Sequence, residues 1–156
     1  MTELEKAKQC LIDEAYTCVL RKDGETYTSR QKGVRPLLDW LYAGNDFSGA
    51  SCADRVVGNG AAYLYVLLSV REVYAEIISE AAKQTLQQAG ITVSYLELVP
   101  AILNRTKDGF CPIEQAVKDA KDAKHALLLI ETRLNALQKN EKQKKNENYV
   151  DNLPRN

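Results

Sequence analysis

Four consecutive residues, Cys52-Ala53-Asp54-Arg55, bring a thiol, a carboxylate and a guanidinium into one short stretch. A thiolate can ligate a metal, and a nearby carboxylate can carry a proton to and from metal-activated water. The same residues have a plain structural use. Ser48, Gly49 and Ser51 supply turn and N-cap chemistry, so the spacing predicts a helix that begins near Ser51 and presents Cys52 and Asp54 in its first turn. Ser51 and Asp54 then fit a capping box, and a partly buried Cys packs as a small hydrophobe. On four residues alone, capping is the favoured reading.

Cys111 stands immediately before Pro112, at the predicted start of another helix, where unpaired N–H groups and the helix dipole favour a thiolate. Against that, Pro112 and Glu114 suffice to start a helix without any chemistry. Asn104-Arg105 in the preceding polar loop offers hydrogen bonds and charge for an anion or a ribose, or is simply solvated. Glu76 falls mid-strand and needs a partner if both sheet faces are covered. His125 is the only histidine, which excludes His-cluster metal sites and leaves a Ser-His or Cys-His pair without support. Neither Gly-x-Gly-x-x-Gly nor a P-loop pattern occurs.

These residues must be positioned by the elements around them. Leu4, Ala7, Leu11 and Ala15 share one helical stripe. Tyr16–Leu20 and Thr26–Thr28 flank Asp23-Gly24, a hairpin signature. Pro36 and Gly44 bracket a helix containing Leu37, Leu38, Trp40 and Leu41. The apolar spacing of Val56, Val57, Gly60, Ala61, Leu64, Leu67 and Leu68 extends the predicted central helix, with Gly58 and Gly60 allowing close helix-to-sheet packing. Glu72–Ile78 reads as a strand, Glu80–Ala89 as a helix closed by Gly90, and Ile91–Tyr95 as a second strand. That β-α-β order requires parallel strands and helices on the faces of a sheet. The last helix starts at Pro112 and is expected to break near Asp122. Leu127, Ile130, Leu134 and Leu137 form a narrow apolar seam on its continuation.

The chain has 156 residues, 45% of them hydrophobic, with 21 basic and 21 acidic side chains. That suits one domain with one core, expected over residues 1–138, followed by a solvated, disordered tail over 139–156. Balanced charge without a basic cluster argues against nucleic acid as a partner. No apolar run reaches the ~18 residues of a membrane span, and the N-terminus lacks an apolar signal core, so no membrane partner and a cytoplasmic location are expected. Four widely spaced cysteines without a Cys-x-x-Cys pair suit reduced thiols.

Three segments carry a resemblance: Asp46-Phe47-Ser48-Gly49-Ala50-Ser51-Cys52-Ala53-Asp54-Arg55-Val56-Val57-Gly58, then Val73-Tyr74-Ala75, and Asn104-Arg105-Thr106 with Gly109-Phe110-Cys111-Pro112-Ile113-Glu114. From about Leu11 to Val117 the chain resembles a family of small, functionally uncharacterised bacterial and archaeal proteins placed with the cytidine-deaminase-like fold. The resemblance implies a mixed sheet with helices on both faces. Cytidine deaminases carry Cys-Ala-Glu-Arg at the start of the corresponding helix, and Cys52-Ala53-Asp54-Arg55 looks similar. Their Pro-Cys-x-x-Cys turn is absent, because Ser79-Glu80-Ala81-Ala82-Lys83 stands in its place. Only Cys52 then matches a metal ligand, whereas a catalytic zinc needs three. Asp54 is also a methylene shorter than the expected Glu.

The expected class is therefore α/β, a three-layer, cytidine-deaminase-like mixed sheet with helices on both faces. The expected function is binding of a small nucleotide-like ligand by a deaminase-fold protein without a complete zinc site, with no metal and no cofactor. The candidate pocket comprises Cys52, Asp54, Arg55, Ser79, Glu80, Asn104, Arg105 and Cys111, at helix starts and strand ends where α/β sheets bind ligands. Two alternatives stand beside it. One is a structural or interaction module, including a homo-oligomer paired through the C-terminal seam; the other is a divergent hydrolase or deaminase.

Overall fold

The computed structural model describes residues 1–151 except 105, 108 and 110, with the backbone alone for 144–151. Five strands form one sheet in the order β2-β1-β3-β4-β5. The chain enters through α1 (Glu3–Asp13), whose N-cap Thr2 accepts a hydrogen bond from the Glu5 N–H at 3.1 Å. The hairpin of β1 (Cys18–Lys22) and β2 (Glu25–Ser29) follows. Its turn residues Asp23 and Gly24 both have positive φ, 52° and 78°, the backbone that an Asp-Gly pair supplies most easily. Next comes α2 (Arg35–Ala43), with Pro36 in its first turn and Gly44 as a left-handed C-cap.

The stretch Ser51–Val57 corrects the sequence reading: it is a strand, β3, and Cys52 and Asp54 are not in the first turn of a helix. β3 lies between β1, to which it runs antiparallel, and β4 (Glu72–Ser79), to which it runs parallel. With layers on both sides, its first four residues are all buried, so the polar–apolar alternation that would mark a strand is missing. Ser51 caps nothing; its hydroxyl donates to the Glu72 carboxylate at 2.6 Å. The central helix is α3 (Asn59–Leu68), entered through Gly58. Val56 and Val57, which share its apparent periodicity, belong to the strand.

α4 (Glu80–Gln88) and β5 (Thr92–Val99) complete the predicted crossover, with β4 and β5 parallel. The last helix does break: α5 (Pro112–Ala116) ends before α6 (Ala123–Asp151) begins. The backbone of α6 runs on to Asp151, through much of the segment whose composition reads as a solvated tail.

α1 lies on one face of the sheet, where Ala7 and Leu11 pack on Val19, Ala53 and Tyr74. The other face carries the larger core, built from α2, α3, α4 and α6 over Cys18, Leu20, Cys52, Val73 and Ala75. Ile130 is fully buried in that core, and Leu127 and Leu134 pack against it, so much of the apolar seam of α6 is covered within the chain. Leu64 of α3 sits at its centre with no solvent exposure. Leu64→Ala is expected to cost about 2–5 kcal/mol, read as a lowered urea midpoint with an unchanged m-value.

Candidate functional site

Successive side chains of a strand point to opposite faces, and Asp54 and Arg55 accordingly part company. Arg55 projects to the α1 side. Its guanidinium donates to the Leu11 carbonyl at 2.6 Å, to the Tyr16 carbonyl at 2.9 Å and to the Glu76 carboxylate at 2.9 and 3.0 Å. It thus closes the C-terminal end of α1 and supplies the partner that mid-strand Glu76 needs.

Asp54 projects to the other side, beneath α3, and is 7% exposed. Its Oδ2 accepts from the Tyr65 hydroxyl at 2.7 Å and from the Cys18 thiol at 3.7 Å. Cys18 is its direct cross-strand neighbour on β1, and the Cys18 Sγ and Tyr65 Oη lie 3.3 Å apart. Oδ1 receives the Val56 N–H at 3.4 Å, and the Arg55 N–H, bonded to the Thr17 carbonyl at 3.1 Å, also bears on the carboxylate. Burial disfavours the charged carboxylate and outweighs these hydrogen bonds, pushing the Asp54 pKa up to about 6. Burial and the Asp54 charge together push Cys18 and Tyr65 well above their ordinary ranges, so the thiol and the phenol stay neutral.

Asp54 forms part of the wall of a cavity of about 520 Å³. The cavity opens at the C-terminal end of β3, beside the start of β1, the location α/β sheets favour for ligands. Thr17, Cys18 and the β2–α2 loop from Gln31 to Val34 form one side. Ala61 of α3 and, from the two ends of a later segment, Ile102, Leu103, Cys111, Ile113 and Glu114 form the other. Within that segment Cys111 is the N-cap of α5, and its N–H donates to the Ile102 carbonyl at 3.2 Å.

Glu114 of α5 reaches over the start of α3. Its two carboxylate oxygens accept from the Asn59 N–H at 3.0 Å and the Gly60 N–H at 3.3 Å. Burial raises its pKa while these two N–H groups lower it. The two glycines are needed for this docking rather than for helix-to-sheet packing. A Cβ on Gly58 would run into the Glu114 carboxylate, with its Cδ at 2.7 Å, and one on Gly60 would lie 2.6 Å from the Ile113 Cγ2.

Of the eight pocket residues expected from sequence, Asp54, Arg55 and Cys111 border the cavity, and the Arg55 guanidinium is engaged on the far face. Cys52 is fully buried in the core on the same face as Asp54 and does not reach the cavity. Ser79 is the N-cap of α4, accepting from the Ala82 N–H at 3.2 Å, and Glu80 is exposed in the first turn of that helix. Asn104 lies in the loop, its N–H donating to the Gly109 carbonyl, and does not line the cavity. Arg105 lies outside the described residues. Cys18, Tyr65 and Glu114 were not among the expected residues. Among the described residues no three His, Cys, Asp or Glu side chains come together as a metal site. Cys52 is sealed in the core and Ser79 caps α4, so the residues that the sequence resemblance aligns with deaminase ligands do not fit a catalytic zinc. No helix among the described residues is long and apolar enough to cross a membrane.

Fold and site together define a small α/β protein with a mixed five-stranded sheet and a carboxylate-walled cavity at the end of its central strand. A family model for a domain of unknown function, DUF1893 (TM1506), matches residues 6–134, and the chain belongs to this family. The crystal structure of the DUF1893 protein TM1506 from Thermotoga maritima is similar, with a TM-score of 0.76 and 21% identity over 86% of this chain and 89% of that one. At that identity the likeness establishes the fold. No curated protein shows significant similarity to the chain.

Two predictions follow from the electrostatics and the packing of the cavity wall. An unfolded Asp titrates near ~4, below the folded value of about 6 for Asp54, so the folded state holds the proton more tightly. This group therefore leaves stability untouched below about pH 4, lowers it as the pH rises to about 6, and costs about 3 kcal/mol above that. Urea denaturation across this range is expected to show the fall in the wild type and its loss in Asp54→Asn. In Tyr65→Phe, which removes a donor to the carboxylate, the fall should extend to higher pH. Separately, Gly58→Ala and Glu114→Ala should each lower stability by about 1 kcal/mol, the scale of a lost helix cap. Both remove the same contact, so the double variant should cost clearly less than the sum.

Proposed function

We propose that this protein binds a small nucleotide-like molecule in the cavity beside Asp54, with the ring of the ligand inward and its polar substituents toward the opening. The observation that carries this reading is a cavity of about 520 Å³, within the roughly 300–1,000 Å³ of small-molecule sites, with a buried carboxylate on its wall. Val34, Pro36, Ala61, Ile102 and Ile113 offer apolar surface to a flat ring, and the exposed Gln31 and Lys32 stand on the loop that borders it. The deaminase-like fold suggested by the sequence is consistent with a pocket at this end of the sheet. An interaction module built on the seam of α6 is the weaker reading, because Ile130, Leu127 and Leu134 already pack on the chain's own core.

The test is thermal denaturation and calorimetry with nucleosides and nucleotides at millimolar concentration. A ligand at a hundred times its Kd stabilises the folded state by about 2.7 kcal/mol. Ala61→Leu, which places a larger side chain on the cavity wall, is expected to reduce binding while leaving the circular dichroism of the fold in place. Absence of any binding or thermal shift across the set would remove the reading.

A further inference from the structure

We propose that the buried end of the ligand is an amidinium-type head, a positively charged group of planar N–H donors, and that Asp54 is the residue that selects it. This rests on the small-ligand reading of the cavity and names the chemistry the cavity accepts.

The charges on the cavity wall decide the sign. Among the described residues two carboxylates line it, Asp54 and Glu114. Of the cations that border it, Lys32 is on the exposed loop, and the Arg55 guanidinium is bound on the opposite face to Glu76 and two carbonyls. A phosphate or carboxylate placed inward would therefore meet like charge, with no buried cation among the described lining side chains to offset it.

The two carboxylates also differ in what they have left to give. Glu114 has one oxygen on each of two N–H groups at the start of α3. Asp54 holds Tyr65 and Cys18 on Oδ2, whereas the bond that Oδ1 receives from Val56 is long, at 3.4 Å. A carboxylate oxygen accepts two hydrogen bonds, so Oδ1 keeps acceptor capacity, and Asp54 lines the cavity. Its cheapest partner is a donor that also carries positive charge, because such a partner offsets the cost of ionising a buried acid. A neutral acceptor at the same place would leave lone pairs facing one another.

The groups that face Asp54 make its ionisation the switch for this selection. Cys18 from β1, Cys52 from β3 and Tyr65 from α3 are held neutral by burial. Glu114 from α5 shares the cavity and is held at the α3 start. Asp54 is protonated at low pH and ionised above its raised titration range, near 6. An amidinium prefers the ionised form, so its affinity should rise with pH through that range and then level off.

Benzamidine, benzamide and benzoate share one ring and differ only in the charge and donor pattern of the head group. Calorimetry at pH 8 is expected to show benzamidine binding at least about tenfold more tightly than benzamide, the scale of one charge-assisted hydrogen bond, with benzoate weakest. At pH 5 the preference for benzamidine should shrink towards nothing. Asp54→Asn should erase it at both values, and the pH comparison on the wild type keeps the test valid if that variant fails to fold. Benzoate binding as well as benzamidine, or a preference unchanged at pH 5, would overturn the ligand class. If nucleosides bind while the three benzene derivatives are not told apart, the class is wrong and the cavity reading stands. If neither set binds, both readings fall.

Discussion

A strand buried on both faces can carry charge only where each charged side chain finds partners within the layer that covers it, because an unpaired buried charge costs several kcal/mol. β3 carries a buried charged residue, Asp54, and a part-buried one, Arg55, in succession, and the layers of this protein are tied to them. Arg55 binds the last turn of α1 through the Leu11 carbonyl and the neighbouring strand through Glu76. Asp54 binds the middle of α3 through Tyr65 and the other neighbouring strand through Cys18. One dipeptide thus fixes how far each helical layer sits from the sheet, and no buried side-chain polar atom among the described residues lacks a partner.

The same arrangement explains which parts of the fold the sequence discloses. The hairpin is legible because Asp23-Gly24 has a backbone preference independent of anything distant. The β4-α4-β5 crossover is legible because its strands and helix are separated by clear stops at Ser79 and Gly90. β3 is not legible as a strand. Burial on both sides removes its alternation, and its tail of Val56 and Val57 falls in step with Ala61, Leu64 and Leu68 of the helix that follows. The break before α6 is visible in the charged run from Lys118 to Lys124, whereas the burial of the Leu127, Ile130 and Leu134 seam depends chiefly on α3, an element remote in sequence.

The site divides along similar lines. Asp54 and Cys111 stand out as isolated reactive side chains in short motifs, and both border the cavity. Cys18 and Tyr65 carry no local signal: one is a β1 residue in an apolar run, the other an aromatic in an apolar helix, and only the β1–β3 register and the turn of α3 bring them to the carboxylate. Glu114 reads as a residue of its own helix start, yet it serves the start of α3, 55 residues earlier. The signal for that pairing is indirect. Gly58 and Gly60 are the two positions where a side chain would collide with α5, so glycines that look like a packing device within one helix are the footprint of another.

This placement of Glu114 decides what chemistry the end of the sheet can offer. The start of a helix attracts anions because its first N–H groups have no partners within the helix. At α3 two of those groups are already taken by an internal carboxylate, and the missing Cβ of Gly58 is what allows the carboxylate in. The Cys-Ala-Asp-Arg motif, moreover, lies on the strand before α3 and not on its first turn. Its thiol is sealed in the core and its carboxylate opens to the cavity from below. A site of this construction has lost the helix-start anion cradle and has a buried acid facing the cavity instead. The preference expected of it is accordingly for donors and positive charge, the reverse of what a free helix N-terminus would select.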